Sequence, residues 1–317
     1  MGQVSPKAQK ASAKPLVALT GATGFIGQYL LKELPSRGYR LRVLLRRPTM
    51  LPEGCASAVI GDLARPYNMA EALSGVDAVI HSAAIASTMS GLPEDDYRLL
   101  NTEATVKFAR AAERARVKRF VFLSSIRAQS GPTADGVLTE ERTPQPTDAY
   151  GRSKLAAEEA LHTAGVPHTI LRPVLIYGPG VKGNLARLMD VARAPWPLPF
   201  GLCRNRRSLL ARQNLIDAIH FALQAQAARN QTYIVADPAP LTLAEIIGAL
   251  RAGHGRSPGL LPVPPTLMAL AAKTMGRDEE WQRVGGGLIA DPSKLIAAGW
   301  KPSVETKAGL AAMARGA

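Results

Sequence analysis

Cysteine is nearly absent from this chain of 317 residues: there are two, Cys55 and Cys203. So sparse a supply excludes a disulfide framework and a cysteine-built metal site, and no other metal site is expected. Aromatic residues are scarce, at 5%, and no basic stretch alternates with them, so nucleic-acid binding is not expected. Long apolar runs are missing as well. Nothing approaches the roughly 18 residues of a membrane helix, which argues against stable membrane insertion. The N-terminus, MGQVSPKAQKASAKP, is polar and basic and lacks the apolar core of a secretory signal; the expected compartment is the cytoplasm. Acidic residues are outnumbered, 25 against 39 Lys and Arg, for a formal net charge of +14. The cations are spread along the chain and are densest at Arg204, Arg206 and Arg207. That excess suits a polyanionic small molecule.

What the chain does contain is a large apolar fraction, 46%, arranged in alternation. Residues 1–14 read as a disordered tail. Short apolar strands are then predicted at 16–20, 40–45, 58–60, 78–81, 119–123 and 168–171, with helical segments at 25–34, 69–73, 94–114 and 149–164 between them. Strand and helix repeated in this way predict an α/β fold, a Rossmann-type doubly wound parallel sheet over 15–176. Beyond Tyr177 the prolines at 179, 195, 197 and 199 change the character of the chain. Helical stretches follow at 214–226, 243–250 and 265–273. Residues 177–317 are expected to form a smaller, mostly helical substrate-binding part, from which a segment around 208–235 can return to the sheet domain.

Gly21-Ala22-Thr23-Gly24-Phe25-Ile26-Gly27 follows the first strand and opens the first helix. Glycines there let the backbone approach a pyrophosphate, and the helix N-terminus offers unpaired N–H groups to it. Gly21, Gly24, Phe25, Ile26 and Gly27 are therefore expected to bind a dinucleotide. An NAD site places an Asp or Glu about 20 residues after the glycines. Here Arg46 and Arg47 stand at that place, suited to the extra phosphate of NADP(H), with NAD as the alternative. Asp62, with Leu63 beside it, is placed for the adenine, or else forms an ordinary Asx turn. His81 is expected to be packed or hydrogen-bonded. The small residues Ser82, Ala83 and Ala84 after it can run under the cofactor.

Tyr150 and Lys154 share one face of a predicted helix, so the ammonium is expected near the phenol, favouring its ionised form. Ser125, at the end of the fifth strand, is expected to complete an acid/base group with them, chosen over its neighbour Ser124.

TGATGFIG at 20–27, HSAA at 81–84, LSSI at 123–126, YGRSK at 150–154 and RPVLIYGPG at 172–180 together resemble the extended short-chain dehydrogenase/reductases, a group of nucleotide-sugar epimerases, dehydratases and reductases. The likeness runs from about residue 15 to the GWKP segment at 299–302. YGPGVKGNLARLM at 177–189 and RNRRSLL at 204–210 are similar to bacterial reductases of UDP-4-keto-6-deoxy-N-acetylhexosamines, which serve surface-polysaccharide synthesis. The resemblance implies a nucleotide-sugar substrate, with Lys154 also holding the nicotinamide ribose. It implies that Pro173 lines the nicotinamide, and that Asn184 and Arg207 belong to the sugar-nucleotide site. One departure is visible: Gln129-Ser130-Gly131 stands where the family usually has Tyr-Gly. The expected activity is reduction of a C4 ketone with NADPH. A 4-epimerase using bound NAD is the alternative, and a cofactor sensor without turnover a third. A homodimer is compatible with all three.

Overall fold

Alternate residues of the first strand, Val17 and Leu19 against Leu16 and Ala18, belong to two separate buried clusters, so the sheet they join is covered on both faces. The computed structural model describes residues 14–85, 91–276, 281 and 285–316; all of the expected tail but Lys14 lies outside these. The first half runs β1 (Leu16–Thr20), α1 (Gly27–Ser36), β2 (Arg40–Leu45), β3 (Ala56–Val59), α2 (Met69–Ala72), β4 (Ala78–His81), α3 (Glu94–Tyr97), a π-helical stretch Arg98–Glu103, α4 (Ala104–Arg114) and β5 (Arg119–Leu123). It continues through β6 (Val137–Leu138), α5 (Ala149–Leu161), β7 (His168–Pro173) and β8 (Leu175–Tyr177). The rest comprises α6 (Asn184–Ala192), β9 (Arg206–Arg207), β10 (Leu209–Ala211), α7 (Arg212–Gln224), β11 (Gln231–Val235), β12 (Leu241–Thr242), α8 (Leu243–Gly253), α9 (Pro265–Thr274) and β13 (Ile289–Ala290). A short helix Ser293–Ala297 and a terminal helix Thr306–Arg315 close the chain.

Seven strands form one parallel sheet in the order β11-β7-β5-β4-β1-β2-β3. The expected doubly wound α/β architecture is therefore present. Leu30, Leu34, Leu215 and Ile219 cover one face from α1 and α7. Phe108, Ala112, Ala157 and Leu161 cover the other from α4 and α5. The order of the strands along the sheet reverses between β1 and β4, and in such sheets ligands bind at that switch point, outside the carboxyl ends.

Three local differences from the sequence reading have physical causes. Residues 24–26 belong to the glycine turn, closed by Gly24 N–H to Gly21 O at 3.1 Å, so α1 starts at Gly27. It runs on to Ser36 because Pro35 lies in its last turn, where its missing donor forfeits a single bond. The segment 94–114 is helical throughout but widens to a π-helix at 98–103, a form frequently found at functional sites. The seventh strand, β11, is absent from the sequence reading although Thr232, Tyr233, Ile234 and Val235 are all strand formers; it pairs with β7 at the sheet edge.

Apart from α7 and β11, which belong to the main sheet's layers, strands beyond β7 pair in small two-stranded ribbons, and a separate core forms around Tyr177, Leu209, Leu250, Leu310 and Met313. Among the described residues no helix is long and apolar enough to cross a membrane.

Candidate active site

The glycine turn leaves β1 directly beside the end of β4. Gly21 has φ +74°, and a Cβ built on it would lie 2.7 Å from both Ala83 N and Ser82 Oγ. A Cβ on Gly27 would lie 2.1 Å from Gly21 O, so only glycine allows α1 to start this close to the turn. Ile26 occupies the N-cap of α1, and no side chain caps that end. Gln28 and Tyr29 N–H are bonded to Gly24 O and Ile26 O, so it is the N–H groups of the turn itself, with the Cβ-free cradle at Gly21 and Gly24, that fit a pyrophosphate. Phe25 is covered by the Arg212 guanidinium, 4.9 Å from its ring centroid.

Thr20 and His81 tie the turn to the next strand. Thr105 Oγ1 donates to Asn101 O (2.7 Å), so it accepts from His81 Nε2–H (2.9 Å). Thr20 Oγ1 must then donate to His81 Nδ1 (2.7 Å). Ser82 Oγ donates to Thr20 O (2.7 Å), and Asn101 in the π-helix grips both backbone groups of Ile85 (2.8 and 3.2 Å). His81 is fully buried and neutral, its pKa pushed down to about 3 by burial, then by the Lys154 charge. This bears out the packed, hydrogen-bonded histidine expected from sequence. Because the unfolded chain binds its proton near pH 6.5, stability should rise with pH between about 3 and 6.5, by at most about 1.4 kcal/mol per unit from this group. Comparing acid unfolding of the wild type with His81→Asn checks it: the variant should show the shallower slope, and parallel curves would place the proton uptake elsewhere.

Thr20 pairs with Leu44, so Arg46 and Arg47 emerge beside the glycine turn, both exposed. Asp62 is exposed and its Oδ1 accepts from Ala64 N (2.8 Å), an Asx turn that uses one of its two oxygens. Leu63 is half-buried at the same bend, and Ala84 is exposed.

The catalytic candidates meet at the ends of β5 and α5. Ser125 is extended, accepts from Arg127 N (3.1 Å) and lies within hydrogen-bonding reach of Tyr150. Ser124 instead turns inward to the Glu158 carboxylate. Asp148 caps α5 through Gly151 N (2.7 Å) and pairs through its other oxygen with Arg127. A Cβ on Gly151 would lie 2.3 Å from Arg127 O, so helix and turn are in direct contact. Burial pushes the Tyr150 phenol above its ordinary value, against the lowering effects of the Ser125 hydrogen bond and Arg127. The group is protonated at neutral pH, the form that can donate.

Lys154 corrects one expectation. Its ammonium does not sit on the phenol. Nζ donates to Leu123 O (2.8 Å) and lies 4.5 Å from the Phe122 ring centroid. Burial brings its pKa down to about 7, with Glu158 opposing the shift. Spacing alone gives a shared helix face; the β5 carbonyl and ring decide where the long side chain goes.

Pro173 is buried at the end of β7, opposite Val235. Arg207 enters from the C-terminal part, half-buried, donating to Gly286 O (2.8 Å) and Pro132 O (3.4 Å). Asn184 is exposed at the first turn of α6. Asn101, Arg127 and Asp148 were not singled out from sequence. Asp148 could have been, since Asp just before a helical segment is an N-cap signal; the other two act through contacts distant in sequence. Among the described residues no group of His, Cys, Asp and Glu is placed to hold a metal ion.

Residues 17–236 match the family described as NAD dependent epimerase/dehydratase. The UDP-glucose 4-epimerase of Vibrio cholerae is 34% identical over 297 residues, 90% of each chain. Among solved structures, a UDP-glucose 4-epimerase from Thermotoga maritima with UDP-glucose superposes with TM-score 0.74 at 22% identity, over 94% of this chain and 97% of that one. A UDP-glucuronic acid 4-epimerase from Bacillus cereus in complex with NAD gives TM-score 0.72 at 20% identity, over 94% and 95%. At these identities the two structures speak for the fold.

Proposed function

The chain belongs to the NAD dependent epimerase/dehydratase family, and on that premise we propose that it is an NADPH-dependent reductase of the C4 ketone of a nucleotide-linked 4-keto-6-deoxy sugar. The observation that carries the reductase reading is Arg46–Arg47, exposed beside the glycine turn where an NAD site has a carboxylate. Two guanidiniums there favour a 2′-phosphate, and so a cofactor that enters reduced and leaves oxidised in each turnover.

Gly21, Gly24 and the N–H groups of their turn would hold the pyrophosphate, Arg46 and Arg47 the 2′-phosphate, and Ser82–Ala84 and Pro173 the far half. The bound dihydronicotinamide supplies a hydride. As the C4 oxygen gains negative charge, Tyr150 gives it the phenolic proton and Ser125 donates a hydrogen bond. The ketone thereby takes up one hydride and one proton and becomes an alcohol. Lys154 would bind the nicotinamide ribose, releasing Leu123 O. Arg207 would pair with the nucleotide diphosphate, and Asn184 would lie along the same ligand. A sugar reduced in this way would serve surface-polysaccharide synthesis.

Arg207→Ala is accordingly expected to raise KM for the nucleotide sugar more than tenfold, the worth of about 1.5–3 kcal/mol for a charge-assisted bond, while NADPH affinity stays nearly unchanged. An unchanged KM, or a matching loss of NADPH binding, would assign Arg207 elsewhere.

A 4-epimerase is the second reading, favoured by the likeness to the Vibrio cholerae UDP-glucose 4-epimerase over 90% of both chains. The deciding experiment is one assay with two arms. Steady NADPH consumption with a UDP-4-keto-6-deoxy sugar supports the reductase. Interconversion of UDP-glucose and its C4 epimer without net cofactor use supports the epimerase. Cofactor binding with neither reaction points to a sensor.

A further inference from the structure

Three consecutive residues at the end of β5 are each held by a different residue of α5. Lys154 Nζ holds Leu123 O, Glu158 holds the Ser124 hydroxyl, and Tyr150 lies against Ser125. Glu158 is 2% exposed and Arg172, on β7 just before Pro173, is 6% exposed. The carboxylate accepts from Arg172 Nε (3.1 and 3.0 Å) and Nη2 (2.5 Å). Arg172 Nη1 in turn donates to Gln129 Oε1, and Gln129 Nε2 donates to Thr139 O (2.8 Å) and Arg142 O (2.7 Å). One buried carboxylate thus joins the helix that carries Tyr150 and Lys154, the strand end that carries Ser125, the strand that carries Pro173, and the loop after Ser125.

Such a group is costly as a stabilising device, since a buried ion pair often does no better than apolar residues of the same volume. Its placement is better accounted for by the site. Residues four apart on a helix are neighbours, so Glu158 stands beside Lys154. Nζ also meets the Leu123 carbonyl and the Phe122 ring on β5, neutral His81 on β4 lies close enough to feel its charge, and Tyr150 is one turn before it on α5. Of these, only Glu158 carries a negative charge at neutral pH. We propose that Glu158 is a positioning residue of the active site, which fixes the Ser125 strand end through Ser124 and keeps the buried Lys154 ammonium charged.

The proposal rests on the catalytic reading of Lys154, and its charge arm is tested without any sugar substrate. The readout is NADPH affinity as a function of pH in the folded protein. Affinity should begin to fall as pH rises through the Lys154 transition, near pH 7 in the wild type. Glu158→Gln removes the facing charge, so that break should move to lower pH by about one unit, a tenfold change in the protonation equilibrium. Ser124→Ala removes a hydroxyl without changing charge, and should lower kcat while leaving the break in place. If Arg172 left alone prevents Glu158→Gln from folding, Glu158→Gln with Arg172→Met removes both buried charges, and the same downward shift is expected. A break at the wild-type pH in whichever of these two folds would overturn the proposal and leave Glu158–Arg172 as an ion pair of the core. A wrong sugar substrate would leave these titrations untouched.

Discussion

Tyr150→Phe is expected to lower kcat about 10²–10⁴-fold, the usual worth of general acid–base catalysis, while NADPH and the nucleotide sugar still bind. The substitution keeps the ring, and so its edge-on contact with Tyr97 at 6.5 Å between centroids. It removes the phenolic proton that the proposed mechanism transfers to the C4 oxygen. The raised pKa of the phenol sets the direction of use: the group stays protonated through neutral pH and serves first as an acid, as a ketone reduction requires. Ser125→Ala should cost less, because water can replace a neutral hydrogen bond in part. Steady-state kinetics of the two variants, with cofactor binding measured separately, check this. Near-wild-type kcat in Tyr150→Phe would remove the catalytic assignment.

Arg46→Asp is expected to weaken NADPH binding by about 10²-fold or more and to leave NADH binding little changed. Losing a charge-assisted phosphate contact costs about 1.5–3 kcal/mol, and the new carboxylate would repel the 2′-phosphate besides. Both arginines are exposed, so the fold should tolerate the exchange, and an unchanged melting temperature would confirm that the effect is local. The decisive comparison is of NADPH and NADH dissociation constants in wild type and variant. Equal constants in the wild type would contradict the NADP assignment and strengthen the epimerase reading.

The sequence by itself determined the strand–helix alternation, the glycine turn and the helix carrying Tyr150 and Lys154. It could do so because each is local: apolar runs of strand length, glycines at positions where a Cβ would strike Gly21 O or Ser82, and residues four apart on one helix. That the neighbouring hydroxyls of Ser124 and Ser125 have different partners, Glu158 and the Arg127 N–H, is visible only in the structure. What lay beyond the reach of the sequence was decided by contacts between residues far apart in the chain. Thr232–Val235 are strand formers by themselves, but that β11 joins the main sheet at the β7 edge is a matter of tertiary pairing. The stretch 98–103 is a π-helix in which Asn101 meets Ile85, sixteen positions earlier. The Lys154 ammonium goes to Leu123 O, because a buried charge takes the strongest acceptor that packing leaves within its reach. Burial, which no spacing rule reports, then sets the chemistry of the site: it holds the Tyr150 proton on, brings Lys154 down to about 7 and keeps His81 neutral.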